Sequence, residues 1–169
     1  MTETFSGSCI SPSPVSATFS VGGSVSITAS TCSLTQSTLD VPLPPVPLNA
    51  LLPVGSAAGE KSFDIGLSCP SGLTVKAVMT DATNPANRTD LLTLDSSSTA
   101  HGVALKILRN GSTPVSFGPD SGANGVAGQW TVGSSGSLTS IPLKVQYQSV
   151  GPVSAGSVSA KATITLSYQ

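Results

Sequence analysis

Charged residues are scarce in this chain. Only 9% of its 169 residues are Asp, Glu, Lys or Arg, and the formal net charge is −1. The seven Lys and Arg form no basic patch of the kind that binds nucleic acid, and no acidic or basic tail stands out. The composition therefore argues against a nucleic-acid partner.

Long hydrophobic runs are also missing. No apolar stretch approaches the roughly 18 residues that a helix needs to span a bilayer, so we expect no membrane span. A helical period is absent as well, apart from a turn predicted near residues 47–52. These absences leave a chain of short strands as the expected structure.

Side chains that carry catalysis are few. His101 is the only histidine, which excludes a multi-histidine metal site within the chain and makes it the one available base for a Ser-His-Asp arrangement. It stands beside a predicted strand start, where a solvated turn histidine is the better explanation. The acidic residues are scattered singly, and the cysteines do not match a CxxC motif. We expect no enzyme and no cofactor or metal.

Three further residues invite a functional interpretation, but a structural one is preferred. Asn87 and Asn110 each begin a sequence that fits the N-glycosylation pattern, and turn-forming asparagines explain both. Trp130 is the only tryptophan, and we expect it in the core rather than on a ligand platform.

Regular alternation is what the chain does contain, and it is clearest at the end. One face carries apolar residues and the other carries polar ones, including Lys161, Thr163 and Thr165, as far as Gln169. This pattern predicts a half-buried strand over residues 157–169. Its apolar residues are Val158, Ala160, Ala162, Ile164, Leu166 and Tyr168.

Similar short runs recur along the chain, separated by turns rich in its 17 Gly and 13 Pro. The other strand candidates are residues 62–69, 73–80, 91–94, 102–108, 113–117, 129–132 and 139–148. Asn110-Gly111 between two of them is a strong hairpin signal, and residues 118–128 are predicted as a loop. The sequence therefore predicts an all-β protein built as an antiparallel β-sandwich.

Two segments leave alternatives open. Residues 15–29 alternate around Gly22-Gly23 and predict either one long strand with a glycine kink or two strand segments. Residues 41–54 are interrupted by prolines, which cannot donate ladder hydrogen bonds, so we expect an edge strand or an extended connector.

The three cysteines are Cys9, Cys32 and Cys69. The last two stand at the ends of alternating runs, which is typical of a disulfide in an oxidising compartment. In a cytosolic protein they would be small buried hydrophobic residues instead. Cys9 is left without a partner in this scheme.

Taken together, the elements of residues 17–169 resemble the pilin domain of chaperone–usher fimbriae of Gram-negative bacteria. The matching elements are the pair Cys32 and Cys69 and residues 63–69, 101–105, 109–111, 141–143 with Tyr147, 155–160 and 166–169. Residues 78–81, 115–120 and 129–130 are most similar to the C-terminal pilin domain of a two-domain tip adhesin. The resemblance implies an extracellular fimbrium on a Gram-negative cell, reached through the periplasm.

The resemblance also implies a mechanism. Pilin domains are immunoglobulin-like sandwiches without their final strand, joined by a disulfide that corresponds to Cys32–Cys69. A periplasmic chaperone fills the gap and grips the C-terminal carboxylate, here on Gln169. At the outer-membrane usher, the extension of a neighbouring pilus subunit replaces the chaperone by β-strand addition. The apolar face of residues 158–168 would then form one wall of the groove.

This resemblance divides the chain into residues 1–16, a linker or the end of a preceding domain, and residues 17–169, the pilin domain. Residues 17–25 are a candidate donor-strand segment. The candidate donor residues are Val15, Ala17, Phe19 and Val21. A tip adhesin would join the pilus through this domain and bind a host receptor through another domain, absent here.

Two alternatives remain. The chain would be a polymerising shaft or adaptor pilin if residues 15–25 serve as its donor strand. A self-contained receptor-binding sandwich would instead use loops 81–90 and 118–128 as ligand contacts.

Overall fold

In the computed structural model, residues 17–20, 24–27, 32–135 and 140–168 are described, the first two ranges by their backbone alone. Within these ranges the protein consists of ten β-strands and one short 3-10 helix, Leu48–Leu51. The strands are β1 Ala17–Ser20, β2 Ser24–Ile27, β3 Ser33–Leu34, β4 Ala57–Ser68, β5 Thr74–Asp81, β6 His101–Arg109, β7 Thr113–Pro114, β8 Trp130–Ser134, β9 Ser140–Ser154 and β10 Ala162–Tyr168.

The strands form two main sheets whose neighbours are all antiparallel. The larger sheet has the order β3-β4-β9-β6-β7, and the smaller has the order β10-β5-β8. The last strand, β10, therefore lies at an edge, paired on one side with β5 through Ile164 opposite Met79 and Leu166 opposite Ala77. The separate hairpin β1-β2 pairs Ala17 with Ile27 and Phe19 with Val25.

The hydrophobic core lies between the two main sheets. β5 contributes Ala77 and Met79, which are 0% and 4% exposed, and β9 contributes Ile141 and Leu143, each 2% exposed. Burying one such large side chain stabilises the fold by roughly 1.5–3 kcal/mol. Trp130 is also buried in this cluster, as predicted, with the Arg109 guanidinium 5.8 Å from its ring centre. The predicted antiparallel sandwich is confirmed.

Several elements match their prediction closely. Asn110 and Gly111 occupy the turn between β6 and β7, with positive φ values of 49° and 85°. Such angles favour Asn and Gly, which explains the signal. Residues 118–128 contain no strand, residues 41–47 form an extended connector, and the 3-10 helix lies within the predicted turn at 47–52.

Other boundaries were wrong for identifiable reasons. β4 begins at Ala57, five residues before its predicted start, because a bulge between Ala58 and Lys61 interrupts the alternation. The predicted strand 113–117 pairs with β6 at its start, but Phe117 then forms a bridge to Met79 in the other sheet. Residues 91–94 form only an isolated bridge, from Leu92 to Leu105.

The two final strands also differ from prediction. β9 continues to Ser154 instead of ending at residue 148, since its last part still pairs with the start of β6. β10 begins at Ala162 rather than at residue 157. Its partner β5 ends at Asp81, which lies opposite Ala162. The residues before Ala162 make only separate backbone hydrogen bonds, such as the one from the Ala82 amide to the Lys161 carbonyl, and these do not extend the strand.

Candidate functional site: an open groove beside the last strand

Two segments that are far apart in the chain, residues 158–168 and residues 41–46, both place half-buried apolar side chains against the core. Val158 and Val46 line the same cavity, and the Tyr168 hydroxyl contacts the Cys32 carbonyl, so we infer an apolar groove along β10 with these two segments as its walls. The half-buried residues Val41, Leu43, Val158, Ala160, Ile164 and Leu166 all pack against the core cluster between the sheets. We call this surface, together with Val46 at its end, the open groove.

The β10 wall is only partly covered. Ile164 and Leu166 lie on the core face opposite Met79 and Ala77, yet they are half-buried while their partners are buried. Among the described strands, β10 has a neighbour on one side only, so its outer N–H and C=O groups have no ladder partner there. An unpaired apolar edge of this kind is a template for another strand.

A half-enclosed cavity of about 170 Å³ lies at the end of the groove where β10 begins. Val46 of one wall and Val158 of the other both line it, together with Val103 and Tyr147. The same side chains belong to a second apolar cluster around Leu51. Burial raises the pKa of the Tyr147 hydroxyl, as expected in such surroundings. The cavity has the size and chemistry for one apolar side chain.

Some predicted site residues of the terminal segment lie on β10, and others lie before it. Ile164, Leu166 and Tyr168 lie on β10 and are half-buried, whereas Ala162, its first residue, is exposed. Val158 and Ala160 are half-buried but precede β10, so they contribute to the groove without being part of the strand. Gln169 lies outside the described residues.

The polar face of this segment is only partly exposed. Lys161 and Thr163 are exposed, as predicted, whereas Thr165 is half-buried. The Thr165 hydroxyl donates a hydrogen bond to the Asp120 carboxylate in the loop 118–128. The same loop is tied to the small sheet by the Lys76 ammonium, which donates to Asn124 Oδ1 at 2.6 Å.

A disulfide joins Cys32 to Cys69, as the resemblance implies. The two cysteines adjoin the paired strands β3 and β4. The Tyr168 hydroxyl donates a hydrogen bond to the Cys32 carbonyl at 3.1 Å, and burial raises its pKa. The end of β10 is therefore attached to the start of the segment that forms the opposite wall.

Two of the candidate donor-strand residues, Ala17 and Phe19, lie in β1, whose backbone pairs with β2 and not with β10. Val15, Val21 and Cys9 lie outside the described residues. Of the two structures predicted for residues 15–29, one kinked strand or two strand segments, the described residues show two segments, β1 and β2, which pair with each other.

The opposite wall was not identified as part of the site from the sequence. Val41, Leu43 and Val46 alternate with prolines, which suggested only an edge strand or a connector. The apolar residues between the prolines were the available signal, but which sheet they face depends on the tertiary fold.

The start of the loop 81–90 is organised by a buried carboxylate. Asp81 is 1% exposed. Its Oδ1 accepts from the amides of Thr83 and Asn84 at 3.0 Å, and its Oδ2 accepts from Asn87 Nδ2 at 2.8 Å and the Thr93 amide at 3.0 Å. Burial alone would raise the pKa of this carboxyl, but the hydrogen bonds from Thr93, Asn87 and Asn84 outweigh it and hold the pKa below its ordinary value.

Asn87 is therefore a structural residue. It is 8% exposed, and its amide group donates to Asp81 and to the Leu91 carbonyl. This confirms the interpretation of the asparagine as a turn former. His101 is exposed at the first position of β6, also as predicted. Within the described residues, no group of three or more His, Cys, Asp or Glu side chains is placed to hold a metal ion.

A comparison with known protein families identifies the molecule. A family model described as Fimbrial protein matches residues 19–169. The chain belongs to the family of fimbrial proteins. This family consists of structural and adhesive proteins of fimbriae rather than enzymes, which confirms the expectation of a non-enzyme.

Among curated relatives, the F17c-G fimbrial adhesin of Escherichia coli is 41% identical to this fimbrial protein over 140 residues. The alignment covers 80% of this chain and 40% of the adhesin. The chain thus spans less than half the length of this relative.

Two solved structures share the fold. The CupB6 tip adhesin from Pseudomonas aeruginosa superposes with a TM-score of 0.59 at 22% identity, covering 72% of this chain and 33% of that one. The P pilus rod subunit PapA superposes with a TM-score of 0.57 at 17% identity, covering 82% of this chain and 92% of the subunit. These likenesses confirm the immunoglobulin-like sandwich. Within the described residues, no helix is long and apolar enough to cross a bilayer.

Proposed function

We propose that this fimbrial protein is a structural assembly module that accepts a β-strand from another chain along β10, and so joins a tip adhesin to its pilus. One observation carries the proposal. Ile164 and Leu166 face the core but stay half-buried, because the outer side of β10 carries no strand among the described residues. A strand added there would cover both side chains and pair the free backbone groups.

The geometry suits β-strand addition. The donor's amides and carbonyls would complete the ladder of β10, while every second side chain would point between the walls. One of those side chains would enter the cavity beside Val46 and Val158. Each apolar side chain that becomes fully covered in this way would contribute roughly 1.5–3 kcal/mol.

The choice of a tip adhesin over a shaft or adaptor pilin rests on the relative. The F17c-G protein is a fimbrial adhesin and is 41% identical over 140 residues. Receptor binding is then assigned to a separate domain, and this domain provides the attachment. Its partners would be a neighbouring pilus subunit, a periplasmic chaperone and an outer-membrane usher, and its destination an extracellular fimbrium.

The test is complementation by a synthetic peptide. The donor peptide has the sequence of the N-terminal extension of the neighbouring pilus subunit, because the proposal takes the added strand from that chain. A control peptide of the same composition, with each apolar residue exchanged with its polar neighbour, has the wrong register. At 100 times its Kd a specific donor should stabilise the protein by about 2.7 kcal/mol. Equal melting temperatures with both peptides would contradict the proposal.

The chaperone contact has its own test. If the carboxylate of Gln169 is gripped by the chaperone, a tag placed after it should impair recovery of the periplasmic complex, while the same tag at Met1 should not. Co-purification with the cognate chaperone measures this. Equal yields from both tagged proteins would show that the terminal carboxylate is not the handle.

A further inference from the structure

The segment just before β10 is attached to the protein in an unusual way. Residues 155–161 form no strand, although they continue the alternation of β10. They lie beside residues 95–100, which lead into β6. Most of the hydrogen bonds between these two segments involve hydroxyl groups instead of a backbone ladder.

Ser159 forms the first part of this attachment. The Ser98 hydroxyl accepts from the Ser159 amide at 2.9 Å and donates to the Ser159 carbonyl at 3.0 Å. The same carbonyl accepts from the Asp95 amide at 2.8 Å, and the Ser159 hydroxyl donates to Asp95 Oδ2 at 2.8 Å. Its backbone and side chain are thus both held by one loop.

Ser157 forms the second part. Its amide donates to the Thr99 hydroxyl at 2.8 Å, and the two hydroxyls lie 3.0 Å apart. Its carbonyl accepts from the amides of Thr99 and Ala100 at 3.0 and 3.1 Å. Gly156 allows the close approach, because a Cβ there would lie 2.3 Å from the Ala100 nitrogen. We call the contacts of Asp95, Ser98 and Thr99 with Ser157 and Ser159 the hydroxyl clip.

The hydroxyl clip is held less strongly than β10, and its hydrogen bonds are more accessible to water. β10 is paired with β5 along all seven of its residues. In the clip, Thr99 and Ser157 are exposed, so water can replace their hydrogen bonds. The clip can therefore loosen without disrupting the ladder that follows it.

Val158 stands between the two clipped serines and lines the same cavity as Val46. We propose that the hydroxyl clip positions Val158 and thereby sets the width of the cavity, so that it selects the size of the donor side chain accepted at that place. This inference rests on the proposed strand addition. Asp95, Ser98 and Ser159 are positioning residues, because they act on the donor through Val158.

The test uses the full chain and variants of the same donor peptide, taken from the neighbouring subunit's extension. Four alternating apolar positions of the peptide are changed one at a time to Ala, Leu or Trp, and the Kd of each peptide is measured by titration calorimetry. With the unmodified protein we expect a size preference at the position that enters the cavity. The double variant Ser98→Ala/Ser159→Ala should reduce that preference about three- to tenfold and leave the other three positions unchanged.

Three controls separate the outcomes. Ser96→Ala changes an exposed serine of the same loop and should keep the preference. With Ser98 unchanged, Ser159→Thr retains a hydroxyl at this position and should keep the size preference better than Ser159→Ala does. If the double variant does not fold, the single variant Ser98→Ala replaces it in the test. The Ser98 hydroxyl alone contacts both the amide and the carbonyl of Ser159.

Each result has one meaning. If the double variant binds all the peptides more weakly to the same extent, or if its size preference is unchanged, the clip does not select the donor side chain. The proposed strand addition would not be affected by either result. Failure of every peptide to bind the unmodified protein would overturn the proposed function, and the inference with it. A loss of size preference confined to one position supports both.

Discussion

Strands β9 and β10 have the same sequence pattern but different surroundings. Both alternate apolar and polar residues, and both place aliphatic side chains on the core face. In β9, Ile141 and Leu143 are each 2% exposed, while Ile164 and Leu166 of β10 are only half-buried. β9 lies between β4 and β6, whereas β10 has β5 on one side and no described strand on the other.

This difference shows that alternation predicts the face of a residue but not the depth of its burial. A core-facing side chain at an edge is covered from one side of the sheet only, and the missing neighbour leaves part of its surface in water. In this protein the open side coincides with the apolar wall around Val41 and Leu43. The same comparison leads to four predictions.

The largest effect should come from matched truncations in the two strands. Leu143→Ala should lower the free energy of unfolding by about 2–5 kcal/mol, because it leaves a cavity in a closed core. Leu166→Ala should cost less, about 1–2 kcal/mol, since that side chain is already partly hydrated. With a saturating donor peptide the two costs should converge. Urea unfolding with and without peptide measures this, and a gap that persists in the complex would contradict the open-groove account.

The second effect concerns the groove itself. Ile164→Asp would place a carboxylate where a donor strand should cover the wall, so stabilisation by the donor peptide, about 2.7 kcal/mol at 100 times its Kd, should be lost. Thr163→Asp is the matched control, because Thr163 is exposed on the opposite face. Thermal melts of both variants with the peptide test the prediction. Retained stabilisation in Ile164→Asp would place the donor elsewhere.

The third effect tests the junction between β5 and β10. Asp81 lies opposite Ala162 and accepts four hydrogen bonds. Its pKa is lowered in the folded state, so its contribution is present above the unfolded value of about 3.9 and is lost as pH falls through the folded value. Asp81→Asn should cost about 1–3 kcal/mol at pH 7 and flatten the loss of stability below about pH 4.

Urea unfolding between pH 7 and pH 3 measures this effect. The control is Asp64→Asn, which changes an exposed carboxylate on β4. An acid dependence that is unchanged in Asp81→Asn would show that other carboxylates dominate acid unfolding.

The smallest effect is expected at the beginning of the chain. Since β1 pairs with β2 and not with β10, deleting residues 1–22 should leave the melting temperature nearly unchanged. The donor peptide should stabilise the truncated and the full chain equally. A marked destabilisation, reversed by added peptide, would instead show that residues 15–21 complement the groove of their own chain.

Much of the fold could be predicted because its signals are local. Period-two alternation predicted strands at the places of β5, β6, β9 and β10, and Asn110-Gly111 predicted a hairpin from the backbone angles that these residues favour. Strand ends were harder to predict. The bulge near Gly59 hid the start of β4, and Val115 to Phe117 crosses between sheets without a local signal.

The sequence by itself determined an all-β chain, the cysteine pair at two strand ends and an apolar face in the final segment, because each is encoded in neighbouring residues. Only the tertiary structure decided that β10 is an edge strand starting at Ala162, that residues 41–46 form the opposite wall, and that Asp81 is buried with four donors. These features join residues that are far apart in the chain. Burial and pairing depend on such distant neighbours, and no local pattern of residues specifies them.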